Sequence, residues 1–392
     1  MTEPSPMVAK ADSPETRRYN RIHRRLEIAD FLVGLGFLVL LLATGWTSTL
    51  RDWAYRGAGQ YYSLAVFFYV FLLLAISKVL GFPLDYYGFR LEHRYNLSNQ
   101  RTRSWVWDQA KTWLITLVIG TVLVELIYWT IRTSPQHWWI IAWAVFILLS
   151  IFFAQIAPVV LFPLFYKFKP LENDTLRTRL LRLSDRAGTH VREVYEWELS
   201  EKSKKANAAL AGLGATRRII LADPLLQNYT DDEIESVLAH ELGHHVHKHI
   251  MKGIAVEVVI SFFGFWITSE VLRYAVDTRG MFESLHDFAN LPLLVLASTV
   301  MSFLLMPLMN AYSRSKEREA DRYALESIPD VAPFISSMNK LADQNMAERE
   351  PSRFVEWFFH SHPAISKRIA VAETWRANQG GIHPALSPKE GE

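Results

Sequence analysis

The sequence predicts a mainly α integral membrane protein: about six transmembrane helices, joined to an α+β region that carries a small sheet. Three observations predict it. Apolar residues fall in six blocks close to the length that a helix needs to cross a bilayer, about 20 residues. Lysine and arginine crowd alternate connections between those blocks. The long polar connection at 167–253 carries strand and helix periodicities of its own.

Composition narrows the class further. Half of the 392 residues are hydrophobic and 13% are aromatic, with a formal net charge of +2. That near-neutral charge leaves no footprint for nucleic acid, and the basic residues flank the apolar blocks. There are no cysteines, which excludes disulfides and thiolate ligands, so any metal must be held by histidines and carboxylates.

The apolar blocks run roughly 28–47, 61–82, 112–131, 138–160, 254–272 and 291–312. The first has a run, Phe31 to Trp46, that is long for a secretory leader and lacks a small-x-small cleavage site, so it reads as a span. Pro158 and Pro163 close the fourth block, and Pro307 interrupts the sixth. The chain then divides into a segment 1–27, spans one to four within 28–166, a polar region 167–253, spans five and six within 254–312, and a final region 313–392.

Charge orients the set. Lys10, Arg17, Arg18, Arg21, Arg24 and Arg25 precede the first span, and Arg90, Arg94, Arg101, Arg103 and Lys111 separate the second from the third. The opposite connections carry only Arg51 and Arg56, Arg132, and Arg273 with Arg279. The positive-inside rule puts both termini and both large polar regions on the cytoplasmic side of a multi-pass protein, in a bacterial inner membrane or the endoplasmic reticulum depending on the organism. Glu125 and Glu257 fall inside the third and fifth spans. Each is either a functional acid or a hydrogen-bonded group facing the bundle interior.

Within 167–253, residues 191–197, 206–211 and 217–222 have strand character, and 230–249 has a helical pattern. Thr230 with Glu233 fits a capping box, and Asp231 and Asp232 suit a helix start. Ile234, Val237, Leu238, Leu242 and Val246 form an apolar stripe. On the adjoining face lies His240-Glu241-Leu242-Gly243-His244. Two histidines four apart on a helix can hold one metal ion, with Glu241 placed beside them to act on a metal-bound water. Gly243 lowers helix stability, and its small size would admit another backbone or a substrate. His245, His247 and His249 make the stretch histidine-rich and read as bystanders.

Catalytic zinc usually takes a third protein ligand. Glu317 and Asp321, just past the sixth span, are four apart on one helical face. Glu317 could complete the site while Asp321 holds a ligand imidazole by its free N–H. The competing reading is an exposed charged helix with Lys316, Arg318 and Glu319 in mixed pairs. Geometry favours the metal. Along continuous helix, His244 stands about 15 Å from the fifth span and Glu317 about 10 Å from the sixth. A short outer loop makes those two spans an antiparallel hairpin, so both ligand segments emerge on one face.

These residues resemble the type I CAAX prenyl proteases, integral-membrane zinc metallopeptidases of the gluzincin kind. The resemblance covers nearly the whole chain. It rests on Phe89-Arg90-Leu91-Glu92-His93-Arg94-Tyr95-Asn96-Leu97-Ser98, on Asn207-Ala208 followed by Arg218-Ile219-Ile220-Leu221, on the His240–His244 motif, on Glu317 with Ala320-Asp321, and on His362-Pro363 with Arg368 beyond. It implies a zincin-like catalytic region on the cytoplasmic side and one zinc held by His240, His244 and Glu317, with Glu241 as general base. It implies that Asn207 and Ala208 bind substrate backbone, with Arg368 counted among the substrate-binding residues, and that His362 stabilises the transition state. It also implies helices around a large membrane chamber, which Glu125 and Glu257 would line. One departure is plain: eukaryotic members have seven spans against six here, and the missing helix falls between the first and second blocks. A smaller or more open chamber is the corresponding expectation.

The expected function is peptide-bond hydrolysis at a membrane. The substrate is a peptide or protein, prenylated or membrane-associated, met among membrane lipids. An exposed strand edge at 206–211, with small side chains, could receive the peptide. From the residues alone, Asn207 could equally be a turn or cap residue and His362 a helix-entry residue before Pro363. Two other functions compete. One is a membrane quality-control protease like the related heat-shock enzymes. The other is a catalytically silent scaffold, which has no physical need for His240, Glu241, His244 and Glu317.

Overall fold

The computed structural model describes residues 11–59, 61–212 and 217–380. Lys10 and the outer ends of the two terminal segments lie outside them.

Six helices are long and apolar enough to cross a membrane among the described residues. They are α1 (Pro14–Thr44), α3 (Tyr62–Arg94), α4 (Thr102–Thr133), α5 (Trp138–Ile156), α9 (His249–Arg273) and α10 (Leu291–Ser327). Each packs on two neighbours in the cyclic order α1, α3, α4, α5, α9, α10 and back to α1. A closed ring of this kind leaves its helices with little buried surface. Along the most apolar stretch of α5 no residue is buried, and along those of α1 and α9 only 6% are. The pattern suits walls that face lipid outside and a hollow inside.

The helices outrun the predicted spans. α1 begins at Pro14, capped by Ser13, which accepts from the Thr16 N–H at 3.0 Å. The segment expected as a polar lead-in is therefore helical from there. Arg24 pairs with Glu348 at 2.6 Å, and Asn20 donates to the Met346 carbonyl at 2.7 Å. α2 (Trp46–Ala58) fills the connection after α1. Thirteen residues are too short to span a bilayer. Its apolar side (Leu50, Ala54, Ala58) joins Leu41, Tyr69, Tyr128, Trp138 and Phe288 in a cluster. Thr47 bonds Tyr69 and the Ala289 carbonyl, and Tyr128 bonds Asn290 at 2.6 Å. This cluster closes the ring at the end away from the polar regions.

At the other end, 167–253 and 313–380 share one core. Leu176, Leu180 and Leu183 of α6 (Asp174–Arg186) pack with Ile219 and Leu221 of the sheet, Leu225 of α7 (Asp223–Asn228), Ile234, Leu238 and Leu242 of α8 (Asp231–Val246), and Phe334, Ile335 and Met338 of α11 (Ala332–Asn345). The sheet has four strands: β1 (Phe168–Pro170), β2 (Glu193–Trp197), β3 (Ala208–Ala211) and β4 (Arg218–Ala222), ordered β1-β2-β4-β3. β2 and β4 run parallel and the outer pairings are antiparallel. β1 carries Pro170 and spans three residues, too few for a period-2 signal. β3 is an edge strand, as the resemblance implied, and its small side chains leave that edge unobstructed.

The helix expected over 230–249 is interrupted. α8 ends at Val246, and Lys248 takes the left-handed conformation (φ 56°, ψ 39°) before α9 starts at His249. Val246 is exposed instead of extending the apolar stripe. α10, in contrast, runs unbroken through Pro307 for 37 residues and leaves the apolar zone as helix. Glu125 stands 3.9 Å from Arg132, whose guanidinium lies over the Tyr62 ring at 3.9 Å.

Candidate metal centre

α8 starts on the predicted capping box. Thr230 N–H donates to Glu233 Oε2 at 2.8 Å and Glu233 N–H to Thr230 Oγ1 at 3.3 Å. Ser336 and Lys340 of α11 hold the same carboxylate at 2.6 and 2.7 Å. α8 then packs against the outer part of α10, which brings His240 and His244 over Glu317.

The three side chains make a compact donor set. His240 Nε2 and His244 Nε2 are 3.3 Å apart; His240 Nε2 is 3.3 Å from Glu317 Oε2, and His244 Nε2 is 3.3 Å from Glu317 Oε1. Zinc bonds of about 2.0–2.1 Å in tetrahedral geometry place ligands about 3.3 Å from one another. Each of these separations therefore has the length of one edge of a zinc tetrahedron. Two further facts fit a cation there. Glu317 is buried, and among the described residues its Oε2 meets only the His240 Nε2 at 3.3 Å, without the geometry of a full hydrogen bond. Neutral His240, with its Nδ1 proton turned to Asp321, sets the bare lone pair of Nε2 against a Glu317 oxygen, a costly contact that a shared cation relieves.

The remaining predicted residues fall around this set. Asp321 Oδ1 lies 2.9 Å from His240 Nδ1, so it holds the back of that imidazole. Arg368 of α13 (Ile365–Gly380) grips Asp321 with two bonds of 2.8 and 2.5 Å. Its buried guanidinium thus braces the carboxylate as well as bordering the adjacent cavity. That cavity, about 540 Å³, is lined by Asn207, Ala208, His240, Glu241, His362 and Arg368 among others. Burial pushes the Glu241 carboxyl above the usual range. His362 lies in the turn between α12 (Arg353–Phe359) and α13, with Nε2 3.4 Å from Glu317 Oε1 and 61% of its side chain exposed. Pairing with Pro363 at a helix entry and standing at the cavity are thus compatible.

Asn345 carries no sequence signal, the Phe89–Ser98 segment reads from sequence only as a motif with no structural task, and His249 reads there as a bystander. Asn345 clamps the chain two residues before the edge strand, donating to the Ala206 carbonyl at 3.2 Å and accepting its N–H at 2.9 Å. The partners lie 139 positions apart, beyond any periodic pattern. The Phe89–Ser98 segment braces the chain leading into β3: Lys204 N–H donates to the Leu97 carbonyl at 2.9 Å and Ser98 Oγ to the Lys202 carbonyl at 2.8 Å. His249 contacts His244 directly, with their Nδ1 atoms 3.0 Å apart.

Comparison with known proteins identifies the family and the fold. Residues 170–376 match the model of peptidase family M48, and residues 4–167 match that of the CAAX prenyl protease N-terminal region, described as five membrane helices. Over that stretch this chain has four long apolar helices and the short α2. An uncharacterised metalloprotease of Bacillus subtilis, YhfN, is 33% identical, covering 95% of this chain and 88% of its own length. CAAX prenyl protease 1 of Saccharomyces cerevisiae is 27% identical over 77% of this chain and 70% of its own. The crystal structure of S. mikatae Ste24p superposes with a TM-score of 0.83 at 22% identity, covering 95% of this chain and 92% of that one. The chain belongs to peptidase family M48 and is an integral-membrane zinc metallopeptidase.

Proposed function

We propose that the chain is an endopeptidase that cleaves prenylated or membrane-associated peptides of CAAX type, with one zinc held by His240, His244 and Glu317. The observation that carries the site is the convergence of those three side chains, with 3.3 Å between the two Nε2 atoms and 3.3 Å from each to a Glu317 oxygen. Zinc held there supplies a Lewis acid and a position for water, three protein ligands being the usual catalytic set. Glu241, in the wall of the cavity beside His240, is the general base. It takes the proton of the attacking water and returns it to the leaving amine. Its burial raises its basicity toward the working range. His362 donates from Nε2 to the oxygen on which charge develops, a role supported by its place in the cavity wall, 3.4 Å from Glu317 Oε1. Asn207 and Ala208 receive the substrate backbone as an added strand on β3, the side of the sheet that opens into the cavity. Asp321, tied to Arg368, keeps the His240 proton on Nδ1 and leaves Nε2 free to ligate.

The prenyl preference is supported by the relatives named CAAX prenyl protease 1 and by the ring of six helices below the site, an apolar enclosure suited to a lipid-modified peptide. Glu125 and Glu257 are assigned to the lining of that enclosure. The lysine and arginine distribution supports a cytoplasmic placement of the catalytic end. The decisive assay compares a farnesylated CAAX peptide with its unmodified form on the purified protein. Preference for the farnesylated form is expected. Equal cleavage would transfer the reading to membrane quality control, and no cleavage of either would overturn the CAAX-type substrate.

A further inference from the structure

We infer that His249 is a positioning residue for the metal site: it fixes the tautomer and ring orientation of His244 through a His244–His249–Glu319 relay. The inference rests on the zinc site proposed above.

The contacts come first. His244 presents Nε2 to His240 and Glu317 and turns Nδ1 away, 3.0 Å from His249 Nδ1. His249 Nε2 is in turn 3.0 Å from Glu319 Oε2, and Glu319 Oε1 accepts from Lys316 at 2.6 Å. The two rings meet edge to face, 5.0 Å between centroids. His249 is buried, with 5% of its side chain exposed.

The protons in this chain can be arranged in one way if His244 ligates. Nε2 must offer its lone pair, so the proton is on Nδ1 and is donated to His249 Nδ1. His249 then carries its own proton on Nε2 and donates it to Glu319, which is an acceptor only. The two ligand histidines are thus oriented by different devices. His240 is held directly by Asp321, and His244 is held by a carboxylate acting through a second imidazole. Orientation of a ligand histidine through its other nitrogen is worth about 10–100-fold in metal affinity.

The backbone shows what the arrangement requires. Residues 244 and 249 on an unbroken helix would point about 140° apart. The left-handed Lys248 ends α8 and restarts the chain as α9, so that His249 folds back onto His244. A non-glycine residue in that conformation costs about 1–2 kcal/mol. The break also redirects the chain from the metal helix into the ring of spanning helices, so one feature serves both purposes. Elsewhere in the stretch, His247 stacks on His249 at 5.6 Å between centroids and has no place in the relay.

The test uses the full chain in detergent, with zinc affinity measured by competition with a chromophoric chelator and the ligand field read from the visible spectrum of the cobalt-substituted protein. His249→Ala is expected to weaken zinc about 10–100-fold and to shift the cobalt bands. His249→Asn should restore most of the affinity, since its amide oxygen can accept the His244 proton from about the position of Nδ1. Glu319→Ala, which leaves both rings in place, should weaken zinc in the same direction by less. Wild-type zinc affinity and an unchanged cobalt spectrum in His249→Ala would overturn the inference. So would an Asn variant as weak as Ala, since that marks a packing role. Absence of zinc binding by the unaltered chain would overturn the underlying site instead.

Discussion

Gly243 and Ala320 meet backbone to backbone where α8 crosses α10: a Cβ on Gly243 would stand 2.8 Å from the Ala320 Cα and 3.0 Å from its carbonyl oxygen. Close approach to another backbone is therefore what the glycine permits. This crossing sets the separation between the helix that carries His240 and His244 and the helix that carries Glu317. Gly243→Ala gains about 1 kcal/mol of helix propensity but must push two helices apart, a strain of about 1–3 kcal/mol. We expect a lower thermal midpoint together with weaker zinc binding and reduced peptidase activity. A variant with full activity and unaltered midpoint would show that the crossing tolerates the methyl group.

Glu241 separates binding from chemistry. Glu241→Ala should retain one zinc per chain by metal analysis and lose turnover by at least about 10²–10⁴-fold, the usual contribution of a general base. Cleavage of a prenylated peptide at the normal rate by this variant would remove Glu241 from the mechanism.

Chelation tests the metal itself. Dialysis against a strong chelator should abolish peptide cleavage, and one equivalent of zinc should restore it. Retained activity with no detectable metal would contradict the site.

Asp321 and Arg368 form a buried pair behind His240. Asp321→Asn keeps the shape but loses the charge that faces both His240 Nδ1 and the Arg368 guanidinium. Zinc affinity should drop about 10–100-fold. Removing one partner of a buried pair costs about 3–5 kcal/mol, so the thermal midpoint should drop too. Measured zinc affinity equal to that of the unaltered chain would assign Asp321 to structure alone.

Glu233 links the metal helix to pH. Burial opposes its ionisation, but Lys340, Ser336 and the Thr230 N–H outweigh that and hold the carboxyl below the usual carboxylate range. A group with a depressed folded-state pKa contributes stability above its unfolded pKa, about 4.3 for glutamate. That contribution is lost as pH falls through the folded value. Glu233→Gln should lower the thermal midpoint at neutral pH, with a loss of about 1–3 kcal/mol. The difference from the unaltered chain should shrink as the pH is taken below 4. A constant difference across that range would exclude the charge as the cause.

Much of this protein follows from local pattern. Apolar block length and the alternation of lysine and arginine identify six spans, because a bilayer imposes one length on every helix that crosses it. The i, i+4 spacing of His240 with His244 and of Glu317 with Asp321 is visible because a helix converts that spacing into a shared face. The Thr230–Glu233 box is equally local and recurs in the structure atom for atom.

Other features depended on the tertiary structure because they join residues distant in the chain or break a local rule. The closed order of the helix ring comes from packing between spans, on which hydropathy is silent. α2 is too short and too mixed in composition to register as a span, yet its apolar side seals one end of the ring. Lys248 carries no glycine or proline signal, so the turn that ends α8 and folds His249 against His244 was hidden inside a continuous helical pattern. The HExxH segment by itself determined two ligands and a base. Whether Glu317 completed the set was decided by the contact of Gly243 with Ala320, since only close packing of two backbones brings three side chains to within one tetrahedral edge of one another.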